Sequence, residues 1–217
     1  MSEESSEEMR AHAPETVGGW HGHIFRRTTH LLMVLIPVIY YWWGESIADI
    51  LSGYIGQDLS RERFVSIIML LAILGESWRI RSGYTIFGQR EYEARQISAL
   101  AWGGVSIALC LLAAPRGGLE GAYIGLPIIV TLSLVDPVLG EGRRYIESTE
   151  VVTVLGVLVA ALIWGLSAFY LGTPAWLAVL MPPLAVAAEW PRLKLVDDNA
   201  MMVLVPLAAA LMVQPWF

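Results

Sequence analysis

Five groups of ionisable residues in this 217-residue chain have the types and spacing that phosphate and metal chemistry needs. Arg26, Arg27 and His30 share one helical face through i, i+3 and i, i+4 spacing, and such a face can hold phosphates. Glu76 and Arg79 stand at i, i+3, which reads first as a self-satisfied ion pair. The run Arg90-Glu91-x-Glu93-x-Arg95 is charge-rich and reads mostly as a solvated face, with Glu93 as the residue to single out. In Asp136-Pro137-x-x-Gly140-x-Gly142-Arg143-Arg144 an acid could hold a metal. The glycines could let backbone approach an anion, and the arginines could meet phosphate. The bland alternative is a helix end followed by an arginine pair. Last, Asp197-Asp198-Asn199 places two adjacent carboxylates that are costly together unless a cation neutralises them. Asp198 or Asn199 could instead cap a helix. One acid capping and the other holding Mg²⁺ satisfies both readings.

The elements that must position these groups are hydrophobic. Hydrophobic residues make up 56% of the chain and charged residues 16%, against about 25% charged in an average soluble domain. A membrane-spanning helix needs about 20 mostly apolar residues. Seven segments approach this, at 30–44, 64–75, 97–115, 122–135, 151–172, 175–188 and 200–213. The shorter ones borrow length from flanking residues that snorkel or lie in the interface. Trp42, Trp43 and Trp216 suit an interfacial belt. The expected fold is therefore all-α, a polytopic membrane bundle of about seven transmembrane helices. The stretch from Glu45 to Glu62 reads either as an external loop or as an amphipathic continuation of a helix.

Alternating sides can be scored by arginine and lysine. With the N-terminus inside, eleven basic residues fall on inner segments: Arg10, Arg26, Arg27, Arg79, Arg81, Arg90, Arg95, Arg143, Arg144, Arg192 and Lys194. Three fall outside: Arg61, Arg63 and Arg116. The positive-inside rule favours N-in, C-out. The acids Asp136, Asp197 and Asp198 fall on the same inner face, although they took no part in the scoring. Residues 1–22 read as an acidic disordered or interfacial segment, and 23–217 as the membrane domain. That acidic start is unlike a secretory signal. The net charge is -6, which is uninformative without position.

Several chemistries are excluded. The one cysteine, Cys110, rules out an intrachain disulfide or thiolate cluster and reads as a buried structural thiol. There is no P-loop, no protein-kinase signature set, no His-Glu-x-x-His and no serine elbow. His12, His21 and His23 read as unstructured or interfacial.

The order of the five groups resembles the dolichol kinase, phytol kinase and CTP-dependent diacylglycerol kinase family, over about residues 26–206. The resemblance implies transfer of the γ-phosphate of a nucleoside triphosphate, often CTP, to the hydroxyl of a membrane lipid alcohol such as a polyprenol, with Mg²⁺. It implies that Asp136, Gly140, Asp197, Asp198 and Asn199 lie near Mg²⁺ and nucleotide, and that Arg26, His30, Glu76, Arg79 and Glu93 match the family's other polar positions. A Lys-Ser/Thr-x-Glu-Gly element usual after the Asp-Pro motif is replaced here by 145–152, without the lysine and glycine. Arg143 or Arg144 would supply that charge, and Glu147 or Glu150 the acid.

The implied mechanism has Asp136 with Asp197 or Asp198 on the metal, and Arg143, Arg144 and Arg26 neutralising the transferred group. Gly142 would lie beside the nucleotide, and a carboxylate or His30 would orient the lipid hydroxyl. The expected site is at the cytoplasmic interface of an integral membrane protein, with no nucleic-acid partner. The arrangement is also similar to that of phosphatidate cytidylyltransferases, and a non-catalytic scaffold is a further alternative. A transporter fits less well, because the charges gather at one interface rather than at mid-membrane.

Overall fold

The computed structural model describes residues 16–114, 121–191, 193 and 196–213. Arg10, His12, Arg116, Arg192, Lys194 and Trp216 lie outside the described residues, as do residues 1–15 of the expected tail. Among the described residues there are eight α-helices, a short 3₁₀ turn at Glu91–Arg95, and no strand beyond an isolated bridge between Thr16 and Arg90. The helices are α1 (Gly19–Leu32), α2 (Leu35–Ile55), α3 (Arg61–Ser82), α4 (Ala99–Ala113), α5 (Ala122–Tyr145), α6 (Thr149–Leu171), α7 (Ala175–Ala188) and α8 (Asp198–Val213).

The apolar segments expected from the sequence are helical, the first of them broken at 33–34, and local chemistry sets most of the ends. Ser60, Ser98 and Ser148 each accept a backbone N–H in the first turn of α3, α4 and α6. Gly56, Gly83 and Gly172 end α2, α3 and α6 in the left-handed conformation. The stretch from Glu45 to Glu62 is resolved in favour of a continued helix, since α2 runs on to Ile55. The first helix begins at Gly19, and Val17 just before it is tied to Gln89 by a backbone hydrogen bond of 2.8 Å.

The central helix is α5, which packs against α1, α2, α4, α6, α7 and α8. Its Ile128, Ile129, Leu132 and Val135 are buried almost completely. By contrast α6 turns Val154, Leu158, Leu162 and Phe169 outward, an apolar stripe that suits a lipid surface. By length and apolarity two helices, α5 and α6, can cross a membrane. A third crossing is available if α1 and α2, bent by 42° at their break, form one broken span. The apolar helices α4, α7 and α8 have 15, 14 and 16 residues. At 1.5 Å per residue they fall short of a hydrocarbon core of about 30 Å.

Charge is segregated by bundle end. Arg61, at the start of α3, is buried over the Tyr40 ring and lies 3.2 Å from both Glu45 and Glu62. Arg79, in the last turn of α3, belongs to the opposite end, where all the groups singled out from the sequence collect.

Candidate active site

The basic wall of the site is α1. Arg26 and Arg27 are neighbours in sequence, so their side chains diverge by about 100° around the helix and meet different partners. Arg26 Nη1 donates to Glu93 Oε1 at 3.0 Å. Arg27 Nη1 donates to Asp136 Oδ2 at 3.1 Å, and its Nε donates to Glu141 Oε1 at 2.9 Å. His30, one turn on, is buried, and its Nδ1 stands 3.4 Å from the same Asp136 oxygen without a hydrogen-bond partner. His30 lies in the last turn of α1, just before the bend into α2.

The expected glycine loop after Asp136 is not a loop. Pro137, Gly140 and Gly142 are inside α5, which continues to Tyr145. The two glycines make room for side chains instead. A Cβ on Gly140 would collide with Arg27 Nη2 and come within 3.0 Å of its Cζ, while one on Gly142 would press on Val152 at 3.0 Å. Gly140 is therefore the seat of the Arg27 guanidinium. Arg143 and Arg144 sit in the last turn of α5, where cations favour the helix dipole. Arg143 pairs with the buried Glu189, and Arg144 reaches His23 at 2.7 Å and Glu141 at 3.4 Å.

The acidic wall is the start of α8. Asp197, the residue before α8, accepts the Asn199 N–H on Oδ1 at 3.1 Å, as a cap does. Asp198 Oδ1 takes the same N–H at 2.9 Å. Burial, and then the negative charge of Asp198, push the Asp197 carboxyl up to about 7, with Arg26 pulling weakly the other way. Burial likewise pushes Glu189 up against the pull of Arg143, and Asp136 and Asp198 add to the push. Asn199 is buried with its Oδ1 unpartnered, and Glu93 is buried with its Oε2 unpartnered.

Behind Glu93 lies a closed ion pair. Arg79 takes Glu76 in a two-pronged contact at 2.8 Å on each prong. It spends its remaining N–H groups on the carbonyls of Tyr84, Glu93 and Gln96 at 2.7–2.9 Å. All five guanidinium donors are used, so the Glu76–Arg79 pair braces the 3₁₀ turn that carries Glu93. The charged run around it divides as expected: Glu93 is buried, while Arg90, Glu91 and Arg95 are exposed.

A metal was expected on Asp136, Asp197 and Asp198. Among the described residues, no three Asp, Glu, His or Cys side chains come together closely enough to hold an ion by themselves. Asp136 faces Arg27 and His30 instead. The donors that fit Mg²⁺ are Asp197 and Asp198, whose crowded charges a divalent cation would relieve, with the unpartnered Asn199 Oδ1. Mg²⁺ is often held by one or two carboxylates, with phosphate and water completing its shell. Glu147 and Glu150, expected to stand in for an acid, are exposed beside the cap of α6.

Three contributors had little or no sequence signal. Glu141 sits at i, i+3 from Arg144, a spacing that could have pointed to it. Glu189 follows an apolar helix, and its basic neighbour at i, i+3, Arg192, lies beyond Pro191 and outside the described residues. His23 was set aside with the N-terminal histidines, yet its Nε2 is 3.0 Å from Glu141.

Comparison of the chain with known protein families, with curated proteins and with solved structures finds no match to any of them.

Proposed function

We propose that this chain is a polytopic membrane phosphotransferase that moves the terminal phosphate of a nucleoside triphosphate, CTP by preference, to the hydroxyl of a membrane lipid alcohol. The single observation that carries this reading is the convergence, at one bundle end, of α1 basic groups, the α5 acid and the α8 acid pair. Arg27 meets Asp136 across 109 residues of sequence, and Arg26 meets Glu93 across 67. In this reading seven helical segments lie in the bilayer with the N-terminus inside, and the charged end faces the cytoplasm, where nucleotide is found.

The residues divide the work as follows. Asp197 and Asp198, with Asn199 Oδ1, would hold Mg²⁺, which when bound would supply charge neutralisation for the triphosphate. Arg26, Arg143 and Arg144 line the anionic path, each already turned toward the site by a carboxylate that a phosphate can displace. The lipid oxygen attacks the γ-phosphorus, the bond from that phosphorus to the β–γ bridging oxygen breaks, and a nucleoside diphosphate leaves. The hydroxyl proton passes to His30, whose Nδ1 stands 3.4 Å from the Asp136 carboxylate that would stabilise the imidazolium. Arg27, seated on Gly140, holds Asp136 in place. Such chemistry is mostly positioning and electrostatics, so the fixed network matters more than any one nucleophile.

The test is one incubation of the purified full-length chain in nanodiscs with Mg²⁺, CTP or ATP, and a panel of lipid alcohols, read by mass spectrometry. The expected product is a lipid monophosphate with nucleoside diphosphate. Asp198→Asn and His30→Gln should each lower the rate by about 100-fold or more while leaving the melting temperature within a few degrees. A CDP-lipid with pyrophosphate would replace this reading with the cytidylyltransferase one. Wild-type rates in both variants would remove the site assignment.

A further inference from the structure

Beside the charged end, a groove of about 670 Å³ opens between the α1–α2 bend, α3 and α4. Its size is within the ~300–1,000 Å³ of small-molecule pockets. Thr29, Met33 and Ile36 form one wall, and Ala72, Ala101 and Gly104 face them. The lining is mostly apolar, and its polar side chains include Thr29, Glu76, Arg79, Gln89 and Ser98.

The chemistry of these polar groups is specific. Glu76 and Arg79 cancel each other, all five Arg79 donors are engaged, and Glu76 Oε1 also accepts the Ser98 N–H at 2.6 Å. No net charge is presented there. Gln89 is 5% exposed, its Oε1 accepts the Ile86 N–H, and its Nε2 is buried without a partner. Leaving a buried donor unpaired is costly, and a ligand oxygen would offset that cost. Thr29 Oγ1 gives its proton to Phe25 O at 2.8 Å, which leaves its oxygen free to accept. One donor and one acceptor beside a neutral, apolar slot match a hydroxyl, which accepts once and donates once. An anionic phosphate finds no cation there.

We infer that this groove holds the apolar chain of a neutral single-chain lipid alcohol, with its hydroxyl against Gln89 and Thr29. This rests on the proposed phosphotransferase reading for its purpose, and it deepens that reading by locating the acceptor. Thr29 precedes His30 in α1, so the occupant's hydroxyl waits beside the reacting end rather than within it. Met33, at the break between α1 and α2, is buried against the core and also lines the groove.

Two glycines on the groove allow a test that spares the fold. A Cβ added at Gly75 or Gly104 meets nothing within 4 Å, and both positions are helix interiors, where replacing Gly favours the helix. The full-length chain in phosphatidylcholine nanodiscs, without nucleotide, is irradiated with a diazirine-bearing prenol, and labelled peptides are mapped. Label is expected on the α3 and α4 peptides that line the groove, displaced by unlabelled prenol and not by phosphatidate. Gly75→Leu with Gly104→Leu should cut that label about tenfold with no fall in melting temperature. Gln89→Leu should weaken prenol competition about fivefold and leave a prenyl hydrocarbon unaffected. Labelling spread evenly over every exposed apolar helix, equal competition by phosphatidate, or full labelling of the double variant would each overturn the inference. Because nucleotide is absent, a chain that binds prenol but transfers no phosphate would overturn only the proposed function.

Discussion

Gly140→Ala is a small change for which the structure and helix propensity predict different outcomes. Gly140 lies inside α5, where alanine is favoured over glycine by about 1 kcal/mol. If propensity decided, the variant would melt roughly 2–4 °C higher, as expected for a chain of this size. The new methyl, however, occupies the place of Arg27 Nη2. Being the far end of a flexible side chain, the guanidinium can withdraw rather than strain the backbone. Withdrawal costs the 3.1 Å bond to Asp136 and the 2.9 Å bond to Glu141. These groups are only partly exposed, so the loss is about 1–2 kcal/mol. The two contributions nearly cancel, and the melting temperature of Gly140→Ala should fall by no more than a few degrees. The assay is a double-mutant cycle with Arg27→Met, followed by thermal unfolding in detergent through the tryptophans. In the Arg27→Met background nothing remains to collide, so Gly140→Ala should recover its full ~1 kcal/mol and the cycle should report a coupling of about 1–2 kcal/mol. Phosphoryl transfer should fall about 10- to 100-fold in Gly140→Ala, because Asp136 and His30 lose their fixed neighbour. A coupling near zero, with Gly140→Ala stabilising in both backgrounds, would show that Arg27 does not rest on α5.

Two further outcomes follow from the charged end. The Asp197 carboxyl titrates at about 7 in the folded chain against 3.8 when unperturbed, so the folded state holds its proton more tightly and stability falls as pH rises from about 4 to 7. Asp197→Asn keeps the cap, since asparagine caps as well as aspartate, and should raise the melting temperature by roughly 3 °C or more at pH 8 and by nothing measurable near pH 4. Glu76→Gln should cost about 3–5 kcal/mol by leaving Arg79 buried without its counter-charge, whereas the double change Glu76→Gln with Arg79→Met should recover much of it. Urea or thermal unfolding of the three variants measures this.

The sequence by itself determined the helices. Apolar runs of helical length, serines three residues ahead of a free N–H, and glycines at the far end are local signals. Local signals survive in any tertiary arrangement, which is why the 175–188 segment and α7 coincide. The Glu76–Arg79 pair was legible for the same reason, since one helical turn brings its members together whatever else the chain does. The burial of Glu93 among exposed charges was anticipated, but not its cause. That cause is Arg26, 67 residues away, and no periodicity reports a contact of that separation.

Tertiary structure decided the rest. It carried α5 past Asp136 and Pro137, because packing of the central helix against six others outweighs a single proline. It thereby turned an expected anion loop into a seat for Arg27. It assigned Asp136 to Arg27 and His30 and left Asp197 and Asp198 as the crowded pair. It also bent α1 from α2 by 42°, beside the groove. Composition and spacing say which groups are able to react. Which of them meet depends on how the helices pack, and packing is a property of the whole chain.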